Sequence, residues 1–197
     1  MRNRFALCLL LAMTGSAAPA LAAEPVAATP ESSTAQSPEQ RLDTLFLELK
    51  RERNEKAAGR VAARIEDEWS KSGSASIDLM MIWSQTAMDA QKFDAALDFL
   101  DQVVTLRPGF AEGWNRRATV HFMMRNFRKS MTDIDRTLQL EPRHFGALSG
   151  MAQIMKDAGR KELALDAFQR VLDIYPMMRS AQGEVASISE ELAGEGI

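Results

Sequence analysis

Few residues in this chain have reaction chemistry of their own, and their spacing does not build a reaction centre. The histidines are His121 and His144, and the one cysteine is Cys8. No H-E-x-x-H pair, G-x-S-x-G elbow or phosphate-cradling glycine loop is present. The two histidines lie far apart in the repeat, and His121 reads as a packed histidine rather than a ligand. Methionine thioethers can hold Cu(I), and ten of the twelve methionines lie beyond position 22. They recur at helical spacing without a clustered M-x-x-M ladder, as gap-filling core residues do. The sequence therefore implies no catalytic residue, no cofactor and no metal.

What the sequence does contain is a recurrence. FDAALDFLDQVVTLRP (93–108) is followed by FRKSMTDIDRTLQLEP (127–142) and KELALDAFQRVLDIYP (161–176). Pro108, Pro142 and Pro176 are each 34 residues apart, without insertion. Helix pairs in such register stack, and a stack makes a surface. Leu106, Leu140 and Ile174 stand two before each proline, and Val104, Leu138 and Leu172 four before. Leu100, Ile134 and Phe168 stand eight before, and the small residues Ala96, Ser130 and Ala164 twelve before. Proline ends each helix because it lacks an N–H and restricts the residue before it. The first helix of each pair has Met80, Trp114 and Leu148 at one slot, and Ser84, Ala118 and Ala152 at a second. Trp83, Arg117 and Met151 share a third, where Arg117 must reach solvent or an acid. Trp114, Ala96, Ala164 and Phe168 are expected to be buried.

The ends differ from the middle. Arg2 and Arg4 precede an apolar run from Phe5 to Met13, and Ala20-Leu21-Ala22 offers an A-x-A cleavage site. The run is far short of the ~20 residues of a membrane span, so the start reads as a cleaved export signal, 1–22. Cys8 lies inside the run rather than at its end, which excludes lipidation. The processed chain then has no cysteine, and its fold owes nothing to disulfides. Loss of Arg2 and Arg4 leaves 22 basic and 27 acidic residues, net −5, which argues against nucleic acid. Residues 23–36, rich in Ala, Pro, Ser and Thr, read as a disordered linker. Ser37, Pro38 and Gln40 form a helix start with a capping box. Leu42, Leu45, Phe46 and Leu49, then Ala57, Ala58, Val61, Ala62, Ile65 and Trp69, make two apolar stripes. Residues 37–76 are expected to form a divergent helix pair that starts the stack. Residues 77–110, 111–144 and 145–178 are the three regular units, and 179–197 a capping helix and tail. Ala181, Val185, Ile188 and Leu192 give that helix one apolar face.

The pattern resembles the tetratricopeptide repeat (TPR), with its period of 34 and its W-x2-L-G-x2-Y, A-x3-F and P signature. The middle unit matches at Trp114, Ala118 and Pro142 and departs at Arg117, His121, Ser130 and Ile134. The last unit matches at Ala152, Ala164, Phe168 and Pro176, and the first at Ala96, Leu100 and Pro108. The resemblance implies an all-α fold, a right-handed superhelix or α-solenoid of antiparallel helix pairs. It also implies a concave face, lined by first helices, that binds a peptide or protein segment.

By helical period the stripe beside each first helix's core stripe should line that groove. It reads Met81, Gln85 and Met88, then Asn115, Thr119, Phe122 and Met123, then Ser149, Gln153 and Lys156, bordered by Arg116. The alternative for Met88, Phe122 and Met123 is packing between adjacent first helices. One subclass of the family clamps chaperone tails through Lys, Asn and Arg. The matching places hold Met81, Gln85, Arg116, Gly146 and Gly150, and only Arg116 fits, so that ligand does not carry over. Residues 111–144 have net charge +3 and residues 77–110 net −3. That is either a steering patch of Arg116, Arg125, Arg128 and Lys129 or an attraction between neighbouring units.

Together these features point to a non-enzymatic, exported interaction module. It would be periplasmic, or released outside the cell, and bind a protein or peptide partner of the envelope in assembly or quality control. A solute- or glycan-binding periplasmic protein is the alternative, as is an accessory subunit of an envelope enzyme complex such as cytochrome maturation. N-terminal sequencing of the protein recovered from its host should begin at Ala23 or Glu24. Met1 retained in a cytosolic fraction would contradict export.

Overall fold

The computed structural model describes residues 36–195. The expected export signal, Cys8 and nearly all of the expected linker lie outside the described residues. The described residues form nine helices and no strand. Three pairs carry the 34-residue register: α3 (Ala75–Asp89) with α4 (Phe93–Leu106), α5 (Ala111–Met123) with α6 (Phe127–Leu140), and α7 (Phe145–Asp157) with α8 (Lys161–Ile174). α1 (Pro38–Arg51) and α2 (Glu55–Ser70) precede them, and α9 (Arg179–Glu195) follows.

The local chemistry sets the helix ends. At α1, Ser37 Oγ accepts from the Gln40 amide at 3.1 Å and Gln40 Oε1 accepts from the Ser37 amide at 2.9 Å, two orphan donors satisfied reciprocally. α4, α6 and α8 each stop two residues before their proline. Within each pair the chain turns through a left-handed residue at the same place: Gln91 (φ 56°), Arg125 (φ 59°) and Gly159 (φ 73°). The Lys92 amide donates to Ala87 at 2.8 Å, Asn126 to His121 at 2.8 Å and Arg160 to Met155 at 2.9 Å. These are the backbone bonds of a Schellman turn, repeated three times.

Each second helix packs on its own first helix and on the first helix of the next unit. Ala96, Ser130 and Ala164 are fully buried. The Ser130 hydroxyl donates to the Ala118 carbonyl at 2.9 Å, so this polar substitute for alanine is satisfied. Leu100, Ile134 and Phe168 are buried as expected. Leu106, by contrast, is 65% exposed and outside the core, whereas Ile174 at the same place two before its proline packs half-buried against it. Trp114 is only half-buried. Its indole N–H donates to the Pro108 carbonyl at 3.0 Å, and the Arg117 guanidinium lies 4.8 Å over its ring. The slot the pattern missed is Val103, Thr137 and Val171, all fully buried. Thr137 hid it, because its hydroxyl looks like surface; that hydroxyl donates to the Asp133 carbonyl at 2.9 Å.

The arginine among core residues has its acid. Arg117 Nε and Nη2 donate to Asp133 at 2.8 and 2.7 Å, and Nη1 to Asp101 of α4 at 2.8 Å. The equivalent pair in the first unit is Trp83 against Phe99, with ring centroids 5.5 Å apart. In the third unit Met151 and Ala167 stand at these places. One packing position is thus filled by an aromatic pair, an ion pair and an apolar pair in turn. His121, 7% exposed, sits beside this ion pair with Nε2 4.0 Å from Asp133. Burial pushes its pKa down, and Asp133 only partly opposes that.

The N-terminal helix pair forms, but it does not start the stack. Leu45, Phe46 and Leu49 of α1 and Ala58, Val61, Ala62, Ile65 and Trp69 of α2 share one core with Phe145, Leu148, Ala164, Phe168, Val171, Ala181 and Ile188. The hairpin therefore packs on α7, α8 and α9, while α3 and α4 keep a separate core around Met80, Leu100 and Val103. Ion pairs Arg143–Asp43 (2.6 Å) and Arg179–Glu55 (2.9 Å) bind it to the α6–α7 turn and to the start of α9.

The Arg117–Asp133 pair gives a clean test. Arg117→Met leaves Asp133, whose side chain is 3% exposed, without its cation and should cost about 3–5 kcal/mol. Arg117→Met with Asp133→Ala reproduces the pairing of the third unit and should recover most of that loss in urea melts. Additive destabilisation by the two changes would show that the pair is not the unit of packing.

Candidate functional site

Between α5, α6 and α7 lies an open cleft of about 280 Å³. Asn115, Thr119 and Phe122 line one wall from α5; Ser149 and Gln153 line the other from α7. Ala118, Ser130, Ile134 and Ala147 also line it, and Gly146 and Gly150 contribute no side chain. Gly150 lies just above Ile134, whose Cδ1 would stand 3.5 Å from an added Cβ. Between α3 and α5 the same space is filled: Met81 and Met88 are 4% and 9% exposed and belong to the α3–α4 core with Val120 of α5. Long thioether side chains close one interhelical gap, and glycines leave the next one open.

The polar groups of the cleft are partly engaged. Asn115 Nδ2 donates to Glu112 at 3.0 Å, and Gln153 Nε2 to Asp157 at 2.7 Å. The Thr119 and Ser149 hydroxyls donate to the Asn115 and Phe145 carbonyls at 3.0 and 2.8 Å. The two hydroxyls have spent their hydrogens on carbonyls of their own helices, and each amide has used one of its two N–H groups. Their oxygens keep free lone pairs, so the cleft offers acceptors beside the apolar Phe122 and Ile134.

The other predicted groove residues lie elsewhere. Gln85 is exposed on α3 and donates to Asp89 at 2.8 Å. Met123 is 46% exposed and does not line the cleft. Lys156 is paired with Glu184 of α9. Arg116 donates to Glu112 at 3.1 Å and to the Met81 carbonyl at 3.3 Å. Arg125, Arg128 and Lys129 are exposed. The ion pair of Arg117 with Asp101 joins the basic second unit to the acidic first one.

A second, more enclosed recess of about 260 Å³ lies beside the cleft, where α2 meets α5 and α7. Its centre is His144. The ring Nδ1 accepts from the Ala147 amide at 3.2 Å and so caps α7. That leaves Nε2 to donate to Glu112, 3.3 Å away on α5. Trp69 of α2 stacks flat on the same ring, with centroids 4.1 Å apart and 7° between planes. Burial would raise the Glu112 carboxyl, but the His144 hydrogen bond, the charge of Arg116 and the Asn115 amide outweigh it and hold the pKa low. Glu66 is pushed up by burial and by Glu112. Sequence reading gave His144 no role, because its partners come from helices far apart in the chain. Gly146 and Gly150 did carry a signal, glycine at two inward-facing helical places.

The residues around both openings provide no nucleophile with an activating base, and among the described residues no group of three potential ligands could hold a metal ion. No described helix is long and apolar enough to cross a membrane.

Comparison with known proteins agrees with the helical architecture. No family model matches the chain. A TPR repeat-containing protein of Rhizobium etli is 50% identical over 186 residues, covering 94% of this chain and 91% of that protein. The first TPR domain of Spaghetti (RPAP3), solved with an HSP90 peptide, superposes with a TM-score of 0.58 at 22% identity, covering 61% of this chain and 95% of that one. MamA superposes at 0.56 with 18% identity, covering 70% and 81%. On its identity to the Rhizobium protein over nearly its whole length, this chain belongs to the tetratricopeptide-repeat family.

Proposed function

We propose that this chain is a non-enzymatic interaction module that takes an extended peptide or protein segment in the cleft between α5 and α7. The observation that carries the reading is the cleft's lining: acceptor oxygens of Asn115, Thr119, Ser149 and Gln153 around Phe122 and Ile134, in space that Gly146 and Gly150 leave open. An extended strand presents backbone N–H groups to acceptors and side chains to apolar walls. Solved relatives in fold include TPR domains in complex with HSP90 and Hsp70 peptides, which supports peptide binding as the mode. The chemistry differs, because Gly146 and Gly150 offer no cation for an acidic tail. The ligand of this cleft is a segment rich in available N–H donors and apolar side chains, not a terminal carboxylate. The basic, apolar start of the sequence supports export, and with it a partner in the cell envelope, in assembly or quality control. The enclosed recess at His144 does not favour a solute-binding reading, since Glu112, Asn115, Arg116 and His144 are bonded to one another.

The test is a crosslinking pull-down from the host's own envelope fraction. Asn115→Ala with Phe122→Ala should lower partner recovery at least tenfold while leaving the circular dichroism spectrum unchanged, as interface energy concentrates in a few central residues. Arg125→Ala, on the exposed turn, should leave recovery near wild type. Equal recovery for the double variant and wild type would remove the cleft from the binding surface.

A further inference from the structure

Among the described residues nothing covers one face of the first helix of the stack. In α5 and α7 the positions that meet the preceding second helix are covered. Gly113 is buried so tightly that a Cβ would stand 2.7 Å from Val103 of α4; Val120 is fully buried, and Arg117 is tied to Asp101 of α4. In α7 the same places hold Ala147 and Ile154, 1% and 6% exposed. In α3 they hold Leu79, Trp83 and Thr86, and among the described residues no helix lies over them, because α2 has gone to α7–α9 instead. Leu79 is 43%, Trp83 46% and Ile82 61% exposed. Three large apolar side chains together on one helix face are a docking surface, and this one continues the interface by which the chain's own units stack.

We infer that this face joins two copies of the chain, α3 against α3, in a two-fold dimer. The opposite end of the stack cannot take it: the outward residues of α9, Ser187, Ser189, Glu190 and Glu191, are exposed and polar. With one apolar end and one polar end, head-to-tail growth into a filament is excluded, and pairing of like ends closes. The face is also self-compatible. Leu79, Ile82, Trp83 and Thr86 carry no charge, and the acids of α3 are engaged, Asp78 with Ser72 at 2.6 Å and Asp89 with Gln85 at 2.8 Å. Antiparallel α3 helices set their dipoles in opposition. Trp83, held against Phe99, gives a rigid aromatic centre of the kind that carries interface energy. The dimer presents two clefts, so a partner with two segments gains by effective concentration. The inference is independent of what the cleft binds.

Light scattering of the full chain should give twice the chain mass, and Ile82→Glu with Trp83→Glu should give the single-chain mass at the same helix content. A second measurement covers the case in which that variant misfolds. In a Cys8→Ser background, Thr86→Cys should be linked into dimers by a short bis-maleimide, and Ser187→Cys on the α9 face should not. A monomeric wild type, or a dimer unchanged in the double variant, overturns the inference. So does equal linking of the two cysteines, an unreactive Thr86→Cys thiol shielded by the chain's own hairpin, or a foreign chain held on this face in a one-to-one complex without the homodimer.

Discussion

Each second helix is held between two first helices, and that arrangement needs a small residue at one place in every unit. Ala96, Ser130 and Ala164 occupy it with no exposed surface. A larger side chain there would separate the helices and open the cores on both sides, since interiors at this density have no room for extra methylenes. The rest of the stack follows from that spacing. Val103 of α4 closes on Gly113 of α5, and Ile134 of α6 on Gly150 of α7; Leu100, Phe168, Thr137 and Val171 are buried in the same layers. Slots further from the closest approach are free to vary in chemistry. That is why an aromatic pair, an ion pair and an apolar pair can stand at equivalent places in the three units.

The same economy of contacts explains where the surface is open. First helices touch one another only lightly, so the gaps between them are filled by whatever their inward residues provide. Met81 and Met88 fill one gap, and Gly146 and Gly150 leave the next one empty. The α1–α2 hairpin packs on α7, α8 and α9, and the end of α2 meets α5 and α7 beside that gap, at His144. This one ring caps α7, donates to Glu112 of α5 and carries Trp69 of α2 on its face. Three helices from separate parts of the chain depend on its orientation.

The period, the prolines and the small slots were readable in the sequence because close helix packing leaves a strict trace at fixed spacing. The Asn115–Thr119–Phe122 and Ser149–Gln153 rows followed from helical period once the family resemblance had put a groove on the first helices. The destination of the hairpin was not readable. The stripe from Ala58 to Trp69 shows which side of α2 is buried, but not against what, because a helix with an apolar face has no address written in its own residues. Burial of Met81 and Met88 was also hidden, since methionine serves equally as lining and as filler. Trp114 misled for a related reason: it stands at the family's tryptophan slot, yet an arginine and a backbone carbonyl, not a closed core, are its neighbours. Asp133 and Arg117 broke the apolar pattern singly, and only their pairing at 2.7 Å shows that they satisfy it together.

The central claim is that the N-terminal hairpin belongs to the third unit and not to the first. Spin labels at Lys50 of α1 and Asp173 of α8, which face the same surface cleft, measure it directly by electron–electron distance spectroscopy. The account predicts a short, narrow distance distribution for that pair, and a longer one for labels at Arg64 of α2 and Thr86 of α3. A long or broad distribution between Lys50 and Asp173, with a short one between Arg64 and Thr86, would put the hairpin at the head of the stack and contradict the account.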